Sequence, residues 1–200
     1  MIEEVAHNPD AAERRELLDV LALAFRDNPM NVEIHGSSVA RRVRANRAGL
    51  RSLILDTENF ADARVICHQG RVVGGFVALP PDVPFLPGPV FWRQVGCFLH
   101  QGARAMDRWG QVNRNLSAFR PAGQHWYLSV LGVSPAMQGA GVGGQLIEAL
   151  IEMVSAEPAP IYLESDRPES VDFYRARGFE DREEVRVHNV SCWCLGRGFG

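Results

Sequence analysis

The sequence has no run approaching the roughly 18 apolar residues from which a membrane-spanning helix is read, so no helical span is expected. It also lacks the surplus of positive charge that a nucleic-acid surface needs: the formal net charge is -3 and the pI about 6.1. The basic side chains are arginines spread among acids. Their one cluster, Arg41, Arg42, Arg44, Arg47 and Arg51, falls on an expected helix and reads as a solvated face. Cysteine is scarce. Cys67, Cys97, Cys192 and Cys194 show neither CxxC spacing nor a zinc-like pairing with His, so no metal site is expected. Cys192 and Cys194 share one face of an expected strand and would make a poor disulfide. The opening Met1-Ile2-Glu3-Glu4 carries acids where a secretory signal carries positive charge, which points to a cytoplasmic protein with free thiols. What is present is ordinary: 200 residues, 46% apolar and 22% charged, enough for one domain, 1–200, with a real core.

Residues 13–25 place Leu17, Leu18, Leu21, Ala24 and Phe25 at helical spacing. Asn8-Pro9 supplies a start signal, and Asp27-Asn28-Pro29 a stop. A second helix over 38–56 would bury Val39, Val43, Leu50, Leu53 and Ile54. The β-rich runs 63–68 and 71–79, joined by Gln69-Gly70, read as an antiparallel hairpin. Residues 80–125 open on Pro80, Pro81, Pro84, Pro87 and Pro89, then turn weakly helical around Phe91, Trp92, Phe98, Met106 and Trp109. So long a connection between strands is more often a lid or pocket wall than idle, and it reads as a functional insertion. A strand (126–133), a glycine-rich turn, a helix (143–155) and a strand (160–164) follow. A short helix (168–177) then ends at Gly178, and two strands near 183–187 and 191–195 turn at His188-Asn189. This order describes an α+β fold: a mixed, mostly antiparallel sheet with one parallel βαβ crossover and flanking helices.

Gln138-Gly139-Ala140-Gly141-Val142-Gly143-Gly144 lies between strand and helix, where bare backbone can approach an anion at a helix N-terminus. Gly139, Gly141 and Gly144 satisfy the dinucleotide pattern GxGxxG, with Glu164 20 residues on. The context rejects that fold. Five residues, Ser134-Pro135-Ala136-Met137-Gln138, separate strand from glycines, and only 36 residues follow Glu164. A P-loop fails for want of Gly-Lys-Ser/Thr.

The stretch from Leu131, Gly132 and Val133 through Ser134-Pro135-Ala136-Met137-Gln138-Gly139-Ala140-Gly141-Val142-Gly143 closely resembles the GNAT acetyltransferase signature. Phe173-Tyr174-Arg175-Ala176-Arg177-Gly178-Phe179 resembles that family's F-Y-x-x-x-G-F segment. Within it, His125-Trp126-Tyr127-Leu128, Tyr162-Leu163-Glu164-Ser165 and Cys192-Trp193-Cys194-Leu195 look like members similar to puromycin N-acetyltransferase. The resemblance implies a GNAT fold with acetyl-CoA as cosubstrate and no metal. It implies that Leu131, Gly132 and Val133 bond the pantetheine arm, with Gly132 suited to a bulge that opens the strand. Backbone amides of Gln138, Gly139, Ala140, Gly141, Val142, Gly143 and Gly144 would hold the pyrophosphate. The sequence departs from the family at Arg167-Pro168-Glu169-Ser170, where members often carry Asn.

Acetyl transfer to an amine needs a neutral nucleophile, a stabilised carbonyl oxygen and a protonated leaving thiolate. Tyr174 is the candidate acid, because a phenol keeps its proton at neutral pH. Glu164, at the carboxyl end of its strand, is the candidate base or a receptor for a cationic amine. His125 and His100 lie around the expected pocket, each reading better as an ordinary loop or helix histidine, and Trp92, Trp109, Trp126 and Tyr127 are candidate pocket aromatics. The expected reaction is direct transfer to a primary amine of a small molecule, with no nucleic acid or membrane partner and with room for a homodimer. The alternatives are a protein or peptide acceptor, or a non-catalytic acyl-CoA sensor.

Overall fold

The computed structural model describes residues 2–5, 8–55, 61–83, 91–156 and 158–199, with backbone alone at 2–5, 52 and 91–94. Pro84, Pro87 and Pro89 lie outside the described residues, as does the side chain of Trp92.

Helix α1 (Ala11–Ala24) begins at Asp10, two residues after the expected Asn8-Pro9 signal. The Asp10 carboxylate accepts the amides of Ala12 and Glu13 at 2.7 and 2.8 Å, and Glu13 returns a bond to the Asp10 amide. This reciprocal box satisfies amides that the first helical turn otherwise leaves orphaned. Pro29, expected as a stop, instead opens a further helix, α2 (Pro29–His35). Proline suits the first helical position because its missing N–H has no partner there anyway. Helix α3 (Val39–Leu55) follows, then the hairpin of β2 (Asp62–His68) and β3 (Arg71–Leu79). Gln69 and Gly70 both take positive φ, 53° and 71°, as a tight primed turn requires. The long connection contains α4 (Phe91–Gln101) and α5 (Ala103–Ser117). Beyond it come β4 (Trp126–Val133), a 3-10 turn (Pro135–Met137), α6 (Val142–Ser155), β5 (Ile161–Ser165) and α7 (Pro168–Arg175). The hairpin β6 (Glu180–Val187) and β7 (Val190–Arg197) closes the fold.

The sheet has seven strands in the order β1-β2-β3-β4-β5-β7-β6, where β1 (Ile2–Val5) is an edge strand the pattern did not announce. All described pairings are antiparallel except β4 with β5, as the mixed-sheet expectation required. Phe76 and Ala78 of the central β3 bury against Leu146, Ile147 and Leu150 of α6, while Val77 and Leu79 join Leu17, Leu18 and Leu21 of α1. Alternation on a strand covered on both faces gives this split. A third cluster packs Met30 and Ile34 of α2 and Val112 and Leu116 of α5 with Tyr162, Cys192 and Cys194.

Two irregularities open the sheet. Val77 pairs with Val130 but Ala78 with Leu128, so Ser129 is the extra residue of a bulge. Strands β4 and β5 pair only through Trp126, Tyr127 and Leu128, and they separate from Ser129 onward. The bulge therefore sits at Ser129, three residues before the expected Gly132. Gly132 pairs regularly with Gly75 and has another use: a Cβ there would meet Leu21 Cδ2 at 2.6 Å and Ala24 Cβ at 3.2 Å. Its bareness lets α1 lie close on the strand.

Candidate functional site

Where β4 and β5 part, two cavities meet. One, of about 450 Å³, runs along the end of β4 and the start of α6. The other, of about 620 Å³, extends between the sheet and α2, α3, α4 and α5. Phe25, Asn28, Leu131, Ser170 and Tyr174 line both.

The smaller cavity collects most of the residues expected to hold the coenzyme: Leu131, Gly132, Val133, Gln138, Gly139, Gly141, Gly143 and Gly144. Gly139 and Gly141 have φ of 80° and 84°, a left-handed conformation open to glycine at little cost. Gly141 caps α6, whose first-turn amides have no acceptor within the helix and face the turn. Ala140 does not line the cavity, and the Val142 side chain turns into the core at 1% exposure. These two can offer a ligand only backbone. Arg177, which sequence reasoning missed, adds a cation. Its guanidinium lies 3.8 Å from the centre of the Phe173 ring and donates to the Phe173 carbonyl at 2.8 Å. Its Nη2 lies 3.1 Å from where a Gly144 Cβ would be. Among the described residues no carboxylate pairs with Arg177. Donor amides, a helix N-terminus and an unpaired guanidinium together suit a phosphate group.

Tyr174 stands at the junction. Its ring is held edge-on between Phe173 and Phe179, with centroids at 5.2 and 5.5 Å. Burial raises its pKa above that of an ordinary phenol, so the hydroxyl is protonated at neutral pH. The turn after α7 fixes this position: the Phe179 amide reaches back to the Tyr174 carbonyl at 3.2 Å, around Gly178 at φ 79°.

Glu164 lines the larger cavity with both carboxylate oxygens engaged. Arg120 Nε donates to Oε1 at 3.2 Å, and the Tyr127 hydroxyl donates to Oε2 at 2.8 Å. Arg120 also donates to the Tyr127 oxygen at 3.0 Å, its guanidinium lying 4.3 Å from the ring centre. Desolvation, then the Glu164 charge, pushes the Tyr127 phenol upward, so it remains a donor. Arg120 follows α5, so the long connection reaches the strand end through this contact.

The far wall belongs to α2. His35 is 3% exposed, and its Nε2 accepts the Trp109 indole N–H at 3.2 Å, leaving the proton on Nδ1. Burial, aided by Arg41 and Arg108, lowers its pKa to about 4, so the ring is neutral at pH 7. His35 Nδ1 and Asn31 Oδ1, one turn apart on the helix, are buried polar atoms without a protein partner among the described residues. Sequence reasoning found neither, because it read Pro29 as a stop.

The remaining candidates divide. Trp109 and Tyr127 line the larger cavity, whereas Trp126 is core. His100 is exposed on α4. His125 packs on Tyr162 and Phe199 and bonds the Gly123 carbonyl at 3.0 Å, away from both cavities. Cys192 lines the larger cavity, but burial first, then Asp166 and other acids, pushes its thiol up to about 12, which keeps it protonated. Among the described residues no group of three metal-ligating side chains exists, and no helix is long and apolar enough to cross a membrane.

Residues 113–194 match the family model of the acetyltransferase (GNAT) domain. The fold is similar to that of a Corynebacterium glutamicum protein described as histone acetyltransferase HPA2 and related acetyltransferase: 21% identity, 98% of this chain, 96% of that one, TM-score 0.72. It is also similar to PaiA N-acetyltransferase from Thermoplasma acidophilum, solved with coenzyme A, at 10% identity, 100% and 99% coverage and TM-score 0.61. Polyamine N-acetyltransferase of Drosophila melanogaster matches at 17% identity, 96% and 99% coverage and TM-score 0.60.

Proposed function

We propose that this chain, an acetyl-CoA-dependent N-acetyltransferase with a GNAT domain, moves the acetyl group directly to a primary amine of a small molecule. Tyr174 carries this reading, because it lines both the glycine-turn groove and the larger cavity beyond it. Coenzyme A would lie in the groove, its pyrophosphate on the amides of 138–144 beside Arg177 and its pantetheine arm along Leu131, Gly132 and Val133. The parting of β4 from β5 frees β4 backbone for that arm. The thioester would then reach the junction, with the amine arriving from the larger cavity.

Tyr174 is the proton donor to the departing thiolate. Its hydroxyl has no partner among the described residues and holds its proton at neutral pH. Glu164 presents a half-buried carboxylate to a cationic acceptor, held in one orientation by Arg120 and Tyr127. Direct transfer is supported by the two thiols that line the cavity, Cys97 and Cys192: burial raises both, and a thiol kept protonated is a poor nucleophile. A small acceptor is supported by the walls that α2, α3, α4 and α5 set around the cavity, with residues 80–125 as the acceptor-side insertion within one domain, 1–200. The Drosophila relative, described as forming N-acetylagmatine, also acts on a small amine. The likeness of 125–128, 162–165 and 192–195 to puromycin N-acetyltransferase-like enzymes agrees with this class and names no acceptor.

Coenzyme A release from acetyl-CoA against aminonucleosides, polyamines, aminoglycosides, amino acids and short peptides tests the reading. Turnover confined to one small-amine class is expected. Turnover with peptides alone would replace the small acceptor. Tight coenzyme binding without turnover would point to a sensor.

A further inference from the structure

A proton must leave the ammonium form of the acceptor before its nitrogen can attack, and Glu164 is poorly placed to take it. Its carboxylate is ion-paired with Arg120 and also accepts from the Tyr127 hydroxyl, so a proton arriving there would forfeit the charge pairing. Two residues further along, Asp166 lines the same cavity. Its Oδ2 accepts the Met30 amide at 2.7 Å and its Oδ1 the Asn28 side-chain amide at 3.2 Å. Both of these donors are neutral amides, so a proton taken up by Asp166 forfeits no charge pairing. No Arg or His lies within ion-pair distance of Asp166 among the described residues. Asn28, which orients it, lines both cavities.

We propose that Asp166 is the catalytic base, taking the proton of the acceptor ammonium, while Glu164 orients and attracts that cation. The inference presupposes the small-amine transfer above and assigns its proton path. Asp166 takes one proton from R–NH3⁺ and later yields it to solvent. The freed lone pair forms the C–N bond, and the C–S bond breaks as Tyr174 protonates the thiolate. The nitrogen then sheds its second excess proton, which restores the Tyr174 phenol.

The surroundings agree. Burial raises the Asp166 carboxyl above its ordinary value, outweighing the lowering by the Met30 amide, its own amide, Asn28 and Arg167. The charged and titratable groups around it are few. Arg167 is turned toward Glu169, Glu164 is held by Arg120, Cys192 of β7 is a protonated thiol and His35 of α2 is neutral. A desolvated carboxylate without a cation partner is a stronger base than an exposed one.

Asp166 also fastens the start of α2, so the test must separate the two roles. Coenzyme A release is followed with benzylamine, an ammonium ion at neutral pH, and with phenylhydrazine, whose terminal nitrogen is neutral there. Asp166→Asn, which keeps acceptor capacity for Met30, is expected to lower kcat/KM for benzylamine at pH 7 by about a hundredfold or more. The loss with phenylhydrazine should stay below about tenfold, and the benzylamine deficit should shrink as pH rises. Asp166→Glu should recover part of the benzylamine rate. Equal losses with both amines would reduce Asp166 to a fastening residue, and an amine-selective loss in Glu164→Gln instead would move the base there. If the wild-type enzyme turns over neither amine, the small-acceptor reading is what suffers. The base is then tested without an acceptor, by ¹³C NMR titration of the Asp166 carboxyl in the coenzyme A complex. A midpoint above the ordinary carboxylate range upholds the assignment, and one within it overturns the assignment.

Discussion

A phenol enclosed by aromatic rings gives up its proton less readily to water, yet it can still donate to a thiolate formed beside it. Tyr174→Phe removes only that donor, since the ring contacts with Phe173 and Phe179 persist. We expect kcat to fall by about 10² to 10⁴ while KM for acetyl-CoA changes little. Unchanged kcat across the pH range would dismiss the acid. At the far wall, His35 makes a prediction about stability rather than rate. Its folded pKa of about 4 lies below the unfolded value of 6.5, so acidification protonates the unfolded chain first. The stability held at pH 7 is therefore lost as pH falls from about 6.5 toward 4. The loss by pH 5 is of the order of 2 kcal/mol. Urea midpoints at pH 7 and pH 5 should differ less in His35→Gln than in the wild type, and an equal difference in both would assign the effect to other groups. Tyr174 was legible because a motif surrounds it. His35 was not, since a lone histidine has no pattern, and its burial follows from a helix and an indole 74 positions away.

At the scale of elements, the glycine turn and the α6 helix were readable because glycine density at a helix start has few other causes. The hairpin was readable because Gln69-Gly70 interrupts two β-branched runs. Helix α2 escaped because seven residues are too few to show a period, and the edge strand β1 because four are fewer still. Asp166 and Asn28 escaped for a related reason: their partnership spans 138 positions and joins two loops. Gly132 lines the groove, but the expected reason for its bareness was wrong. It was expected to bulge the strand, but it clears a path for α1, and Ser129 makes the bulge. Gly132→Ala should therefore act through packing. Its methyl would meet Leu21, which is 0% exposed and has nowhere to retreat. A loss of about 1–3 kcal/mol is expected from overpacking, read as a lower urea midpoint at unchanged slope. A midpoint equal to that of the wild type would show that α1 can shift freely.

For the whole molecule, the order of helices and strands was legible, but the way the two halves of the chain share the groove was not. Ala24, Phe25 and Asn28 come from the end of α1 and the loop after it, while Leu131, Gly139, Gly144 and Arg177 come from the second half. Coenzyme bound there would contact both halves of the chain, and it would bind the folded state alone. Linkage then fixes the outcome. At a hundredfold excess over Kd, coenzyme A adds about 2.7 kcal/mol of stability. For a chain of this size that is roughly 5–10 °C in melting temperature. Pantetheine, which lacks the phosphates, should raise the melting temperature much less at the same concentration, because it leaves the α6 amides and Arg177 unoccupied. Arg177→Gln should narrow the gap between the two ligands without lowering the melting temperature of the free protein by more than a degree or two, since Arg177 has no carboxylate partner to lose among the described residues. If pantetheine and coenzyme A shifted the melting temperature equally, the phosphates would not sit on the glycine turn, and the groove would have to hold the coenzyme in another orientation.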